Sequence, residues 1–271
     1  MTRVAAVQMT STADLGRNLA EAGRLLGEAR ERGAVVAALP ENFAFMGYDE
    51  VVKLAIAEAE GEGPIQAEMA GLAREHGLWI VAGTVPLRVP GEGRVAAACL
   101  VFDAEGRRVA RYDKIHLFDV AIPGREERYV ESASVHPGAA PVCVDTPAGR
   151  LGLAVCYDLR FPELFRRLVD LGAEWFCLPS AFTAPTGRAH WETLLRARAI
   201  ENFCHVVAPA QSGFHENGRE TYGDSMIVDC WGRVLARLRR GSGVVVAEID
   251  LVRQREVRQN FPSLDHRRLA P

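Results

Sequence analysis

Leu151-Gly152-Leu153-Ala154-Val155-Cys156-Tyr157-Asp158-Leu159-Arg160-Phe161-Pro162-Glu163-Leu164 is a short apolar run, then a thiol, then the start of a helix. Residues 151–155 have strand composition, residues 162–171 have helical spacing, and Cys156 closes the strand between them. An α/β sheet places its chemistry at such strand ends. The same alternation continues outward in both directions. Residues 3–9, 34–38, 78–82, 96–102, 108–112 and 142–145 read as strands before this stretch. Residues 175–178, 204–208, 225–229, 234–238 and 244–249 read as strands after it. Leu15, Leu19, Ala22, Leu25, Leu26 and Ala29 repeat at helical spacing, and further helices are expected over 65–76, closed by Gly77, and over 191–202. Strands and helices interleave along the whole length, so residues 1–271 read as one α/β domain.

Two more ionisable residues follow apolar strands. Glu41 comes directly after Val35-Val36-Ala37-Ala38-Leu39-Pro40, where the proline ends the strand. Lys114 sits in Arg111-Tyr112-Asp113-Lys114-Ile115-His116-Leu117, after the strand at 108–112. Taken singly, each has an ordinary explanation: a solvated glutamate, a surface lysine, a cysteine packed as a small hydrophobe.

Composition narrows the classes. The 271 residues carry 32 Lys and Arg against 35 Asp and Glu, a net charge of −3, without the basic footprint of a nucleic-acid binder. The 6 cysteines contain no C-x-x-C and are too few for a disulfide scaffold. The longest apolar stretch, residues 95–102, is far short of a membrane span, and the N-terminal apolar run is too short for a signal sequence. A cytoplasmic protein with no membrane or nucleic-acid partner is expected. G-x-S-x-G, a P-loop, a full dinucleotide fingerprint and H-E-x-x-H are all missing, so neither a metal nor another cofactor is expected. His190 and His205 read as structural histidines.

Leu39-Pro40-Glu41, Tyr112-Asp113-Lys114-Ile115-His116-Leu117 and Cys156-Tyr157-Asp158 together resemble the nitrilase, or carbon–nitrogen hydrolase, superfamily, in the family's order and from Val4 to about Arg268. The resemblance implies a four-layer αββα sandwich, eight-layered across a homodimer that pairs through residues 161–171 and 251–271. It also implies a nucleophile in Cys156, a general base in Glu41 and an oxyanion-stabilising ammonium in Lys114, joined by the backbone N–H of Tyr157. That chemistry suits the residue types. An amide is a poor electrophile, so a thiolate divides its hydrolysis into acylation and deacylation, and a thiol that is protonated at neutral pH needs a base. Members of the amidase branches carry a further glutamate between lysine and cysteine. Glu131 fits that position, with Glu126 and Glu127 as competitors.

Ile115-His116-Leu117-Phe118-Asp119-Val120, Pro179-Ser180-Ala181-Phe182-Thr183 and the segment 210–226 resemble the Nit branch, whose members cleave deaminated glutathione or, in a second activity, α-ketoglutaramate. Gln211, Gly213, His215, Arg219 and Tyr222-Gly223 are similar to the first group. Asp224, where histidine is expected, and Ala121, where an acid is commoner, depart from the pattern. A small carboxylated amide calls for cationic groups in the pocket, with Arg160 and Arg188 as candidates. Phe182, Phe45 and Trp191 are candidates for its walls.

Overall fold

Alternation along the strand Thr2–Gln8 sets the layering of the molecule. Val4 and Ala6 turn into one core, and Ala5 and Val7 into another. A strand buried on both faces reads as a continuous apolar run, which is why no polar residue alternates here. The computed structural model describes residues 1–47, 52–122, 124 and 127–269.

The first sheet has the order Gly243–Ile249, Thr2–Gln8, Val36–Leu39, Trp79–Arg88, Val95–Phe102, Arg108–Asp113. The second has the order Val234–Leu238, Ser225–Val228, His205–Ala208, Trp175–Cys177, Gly149–Leu153, Cys143–Thr146. In each, three neighbouring strands run parallel and the others are antiparallel. Between the sheets, Val4, Ala6, Ala38, Val101 and Tyr112 pack with Leu151, Leu153, Cys177, Val207 and Ile227. Helices Leu15–Glu31 and Pro64–His76 cover the outer face of the first sheet through Leu25, Leu26, Ile65 and Met69. Helices Pro162–Asp170 and Ala184–Asn202 cover the second through Phe165, Leu168, Trp191 and Leu195. The result is the four-layer αββα sandwich. Among the described residues no helix is long and apolar enough to cross a membrane.

Several elements differ from the sequence reading. The strand expected at 78–82 runs on to Arg88 through an irregularity between Ala82 and Val85. Gly83 lies there at φ +33, and a Cβ on it would stand 2.0 Å from the Pro40 carbonyl oxygen, so only glycine lets the two chains pass. The helix expected at 191–202 begins at Ala184, with Pro185 in its first turn, where proline's missing N–H costs nothing. Cys156 does not close a strand. The strand ends at Leu153, and Cys156 opens a 3-10 helix, Cys156–Arg160. Two hairpins, Asp119–Ala121 with Arg128–Val130 and Ser212–Phe214 with Glu220–Tyr222, and the helix Leu251–Asn260 are additional.

Candidate active site

Glu41 follows the strand Val36–Leu39 at its C-terminal end, and its backbone carbonyl accepts from Gln211 Nε2 at 3.1 Å, which ties it to the second half of the chain. Lys114 follows Arg108–Asp113, and its carbonyl accepts from the Gly138 N–H at 2.8 Å. Glu131 opens the 3-10 turn Glu131–Ala133 just after the Arg128–Val130 hairpin strand. Cys156 stands at φ +47, a left-handed conformation that costs a non-glycine residue energy and marks a position held by its surroundings. Its N–H donates to Pro179 O at 2.9 Å. Asp158, fully buried, accepts from Val155 N (2.8 Å), Tyr112 Oη (2.7 Å) and the His116 backbone N–H (3.2 Å), and its carboxylate meets His116 Nδ1 at 2.7 Å. The His116 ring stacks on Phe161 with centroids 3.6 Å apart. This buried carboxylate therefore clamps the turn that carries the thiol to the strand that carries the lysine.

The four residues converge. Lys114 Nζ donates to Glu41 Oε1 at 2.8 Å and to both Glu131 oxygens at 2.9 and 2.8 Å. Glu131 is itself fixed by the Phe118 N–H, which donates to its Oε2 at 2.6 Å. Lys114 is 1% exposed and Glu41 4%, so removing either partner would strand a buried charge. Glu41 also meets the Cys156 thiol, whose sulfur accepts from the Ala181 N–H.

Electrostatics separate the roles. Burial pushes the Glu41 carboxyl up, but the Lys114 ammonium and the thiol hydrogen bond outweigh it and hold the group below its ordinary value. Burial pulls Lys114 down, but Glu131 and Glu41 outweigh it and keep the amine protonated. Burial, then the Glu41 charge, pushes the Cys156 thiol well up. The resting site is a neutral thiol beside a carboxylate and an ammonium: a base with a proton to take, and a cation where negative charge would develop. Among the described residues no group of three or more His, Cys, Asp or Glu side chains is arranged to hold a metal ion.

These groups form the floor of a pocket of about 620 Å³ including its open mouth. Phe118, Tyr129, Tyr157 and Phe182 wall it, and Arg128, Arg160 and Arg219 bring three guanidinium groups to it. Arg160 stacks over the Tyr157 and Phe182 rings at 5.8 and 5.4 Å, and its Nη1 meets His190 Nδ1 at 3.2 Å. Tyr157 sits in the first turn of its 3-10 helix, so its N–H has no partner within that helix.

The other sequence candidates lie elsewhere. Arg188 lines a neighbouring cleft with Arg239 and Arg240, not this pocket, because helix Ala184–Asn202 begins early and carries it outward. Phe45 lines a small cavity beside Thr84. Trp191 is fully buried behind Phe182, with Nε1 donating to Asp224 O at 2.8 Å. Glu127 is not part of the pocket lining, and Glu126 lies outside the described residues. His205 is buried, with Nδ1 2.8 Å from Gln254 Oε1. Asp224 adds no net charge to the pocket, since Arg237 binds both its oxygens. Ala121 is exposed on its hairpin. Sequence reasoning passed over Arg219, Arg128, Phe118 and Tyr129. Arg219 was within the segment singled out as branch-specific, but it was weighed there as a motif letter rather than as a charge.

The carbon–nitrogen hydrolase family model matches residues 3–259. The deaminated glutathione amidase of Synechocystis sp. is 45% identical over 266 residues, 97% of each chain. The Homo sapiens deaminated glutathione amidase is 45% identical over 271 residues, 98% of this chain and 82% of its own. The crystal structure of the C. elegans NitFhit protein superposes with a TM-score of 0.92 at 41% identity, covering 98% of this chain and 65% of that longer one. The chain belongs to the carbon–nitrogen hydrolase family of the nitrilase superfamily.

Proposed function

We propose that this protein is a cysteine amidase that cleaves deaminated glutathione through a thioester on Cys156. One observation carries the reading: Lys114 is held between Glu41 and Glu131 beside the Cys156 thiol, at the floor of a pocket with three guanidinium groups. The floor suits amide cleavage and the arginines suit a substrate with carboxylates at both ends. The relatives from Synechocystis and Homo sapiens are named for that substrate.

In this mechanism the Cys156 sulfur attacks the amide carbon as Glu41 takes the thiol proton. The carbonyl oxygen becomes an oxyanion facing Lys114 Nζ and the Tyr157 N–H, and each such donor is worth roughly 3–4 kcal/mol of barrier. Collapse breaks the C–N bond, and the departing amine takes the proton from Glu41. Water then adds to the thioester while Glu41 accepts its proton. The second oxyanion collapses to α-ketoglutarate and the sulfur regains its proton from Glu41. Arg160 and Phe182 contribute charge and surface for the substrate.

The test is α-ketoglutarate release from deaminated glutathione and from α-ketoglutaramate, with Cys156→Ala alongside. Faster release from the first, lost in the variant, is the expected result. Preference for the second makes the protein an ω-amidase, and release that survives Cys156→Ala overturns the mechanism. The same reading makes the protein a cytoplasmic homodimer. Its six cysteines are free thiols, which suits a reducing compartment, and exposed Trp231 and Phe261, packed ring to ring, give it an apolar face for a second copy.

A further inference from the structure

Arg219 is built into the pocket in a way the other two arginines are not. It projects from the hairpin Ser212–Phe214/Glu220–Tyr222, whose turn is closed by the His215 N–H on Arg219 O at 3.0 Å and by the Arg219 N–H on Asn217 Oδ1 at 3.0 Å. That hairpin is pinned by His215, which is buried between Ser11 O at 2.9 Å and Thr221 Oγ1 at 2.7 Å. The guanidinium lies over the Tyr129 ring at 5.1 Å, and Nη2 donates to the Ala181 carbonyl. The Ala181 N–H, in turn, points at the Cys156 sulfur. One residue, Ala181, thus separates Arg219 from the nucleophile. Its Nε is buried and has no hydrogen-bond partner. A buried donor left unpaired is costly unless a ligand completes it.

The direction of the substrate follows from the proton. Glu41 must deliver its proton to the departing nitrogen, so the leaving group lies on the Glu41 side of the sulfur. The Arg219 charge is among those that hold the Glu41 carboxyl down. Arg160 instead rises from the nucleophile's own 3-10 helix and packs on Tyr157 and Phe182.

We propose that Arg219 binds the terminal carboxylate of the leaving group, the cysteinylglycine portion of deaminated glutathione, and is the residue by which this pocket prefers a peptide-like amide to a primary one. The proposal rests on the amidase reading above. A primary amide releases ammonia and offers Arg219 nothing, whereas a cysteinylglycine carboxylate completes the unpaired Nε.

The test compares three substrates: deaminated glutathione, its C-terminal glycinamide, and α-ketoglutaramate. In the wild-type protein the acid should have a KM about 10- to 100-fold below that of the glycinamide, the range of a charge-assisted hydrogen bond. Arg219→Gln should remove that difference by raising KM for the acid at least tenfold more than for the glycinamide or α-ketoglutaramate. The acid-against-amide comparison needs no variant, so misfolding of Arg219→Gln cannot mask the answer. Equal KM for acid and glycinamide overturns the assignment, as does an equal loss on all three substrates in the variant. Wild-type inactivity on deaminated glutathione with activity on α-ketoglutaramate overturns the substrate reading itself, and the assignment with it.

Discussion

Cys156 is a thiol at rest, because burial and the neighbouring Glu41 charge both resist its ionisation. In the proposed mechanism the nucleophile is therefore made during attack, by transfer to a carboxylate that Lys114 keeps ionised. This fixes the sign of the pH dependence. As the proposed base, Glu41 has a carboxyl held below the ordinary 4.5, so activity should persist down to below about pH 4.5 before the acid limb begins. Lys114 acts as a cation, and its amine is held well above 10.5, so the basic limb lies above that value. Glu131→Gln removes one of the two carboxylates that hold the ammonium up, so the basic limb should move to lower pH. With its oxyanion donor less firmly aimed, kcat should fall by about 10²- to 10³-fold. A pH–rate profile of both proteins checks this, and an unmoved basic limb would refute the role given to Glu131. Glu41 and Cys156 stood out because each follows an apolar run, and Lys114 because it follows a strand. Their buried convergence was not legible, since nothing in one sequence measures the distance between residues 41, 114 and 156. Arg219 was harder still: its value lies in an unpaired Nε and a contact with Ala181, both of which exist only in three dimensions.

The elements reach this precision through close backbone approaches as well as through hydrogen bonds. A Cβ on Gly138 would lie 2.0 Å from the Asp113 carbonyl oxygen, directly before Lys114, so the segment after Glu131 presses against the strand end that carries the lysine. Gly138→Ala must push the two apart. It should destabilise the fold by about 1–3 kcal/mol, the usual cost of overpacking, and lower kcat more than it raises KM. Gly71 is the contrast: it sits inside helix Pro64–His76 with nothing within 4 Å of an added Cβ. Gly71→Ala should stabilise by about 0.5–1 kcal/mol through the unfolded chain's lost freedom, with activity unchanged. Urea unfolding and steady-state kinetics of the two variants decide the matter, and a neutral Gly138→Ala would show that the approach is not needed. Long elements were legible for related reasons: Thr2–Gln8 and Val95–Phe102 are buried on both faces, and Leu15–Glu31 carries a clear apolar stripe. The hairpin strands were not, because three residues carry no period. Leu251–Asn260 was not, because among its side chains only Gln254 is buried. Trp79–Arg88 was cut short because Gly83 and Pro86 look like breaks, whereas the strand crosses them at an irregular pairing.

At the scale of the whole molecule, the site belongs to both sheets: Glu41 and Lys114 extend from the first, Cys156 from the second, and Gln211 joins them at the Glu41 backbone. The two-sheet architecture came from family resemblance, since periodicity reports which strands are buried but not which strands are neighbours. The far end of the second sheet raises the remaining question. Phe203, Trp231 and Phe261 pack ring to ring, with centroids 5.6 to 6.3 Å apart. Yet Trp231 is 52% exposed and Phe261 56%. Large exposed apolar groups gathered in one place mark an interaction surface on a soluble protein, and this one includes the C-terminal helix Leu251–Asn260 that the resemblance assigns to self-pairing. Sedimentation velocity should therefore find the wild-type protein as a dimer and Trp231→Glu/Phe261→Glu as a monomer. The proposed catalytic residues line a different cleft from the one beside this patch. A monomeric variant that keeps its kcat would make pairing a matter of stability, and one that loses it would make the dimer part of how the site is held. A wild-type monomer, or a variant that still dimerises, would remove this face from the assembly.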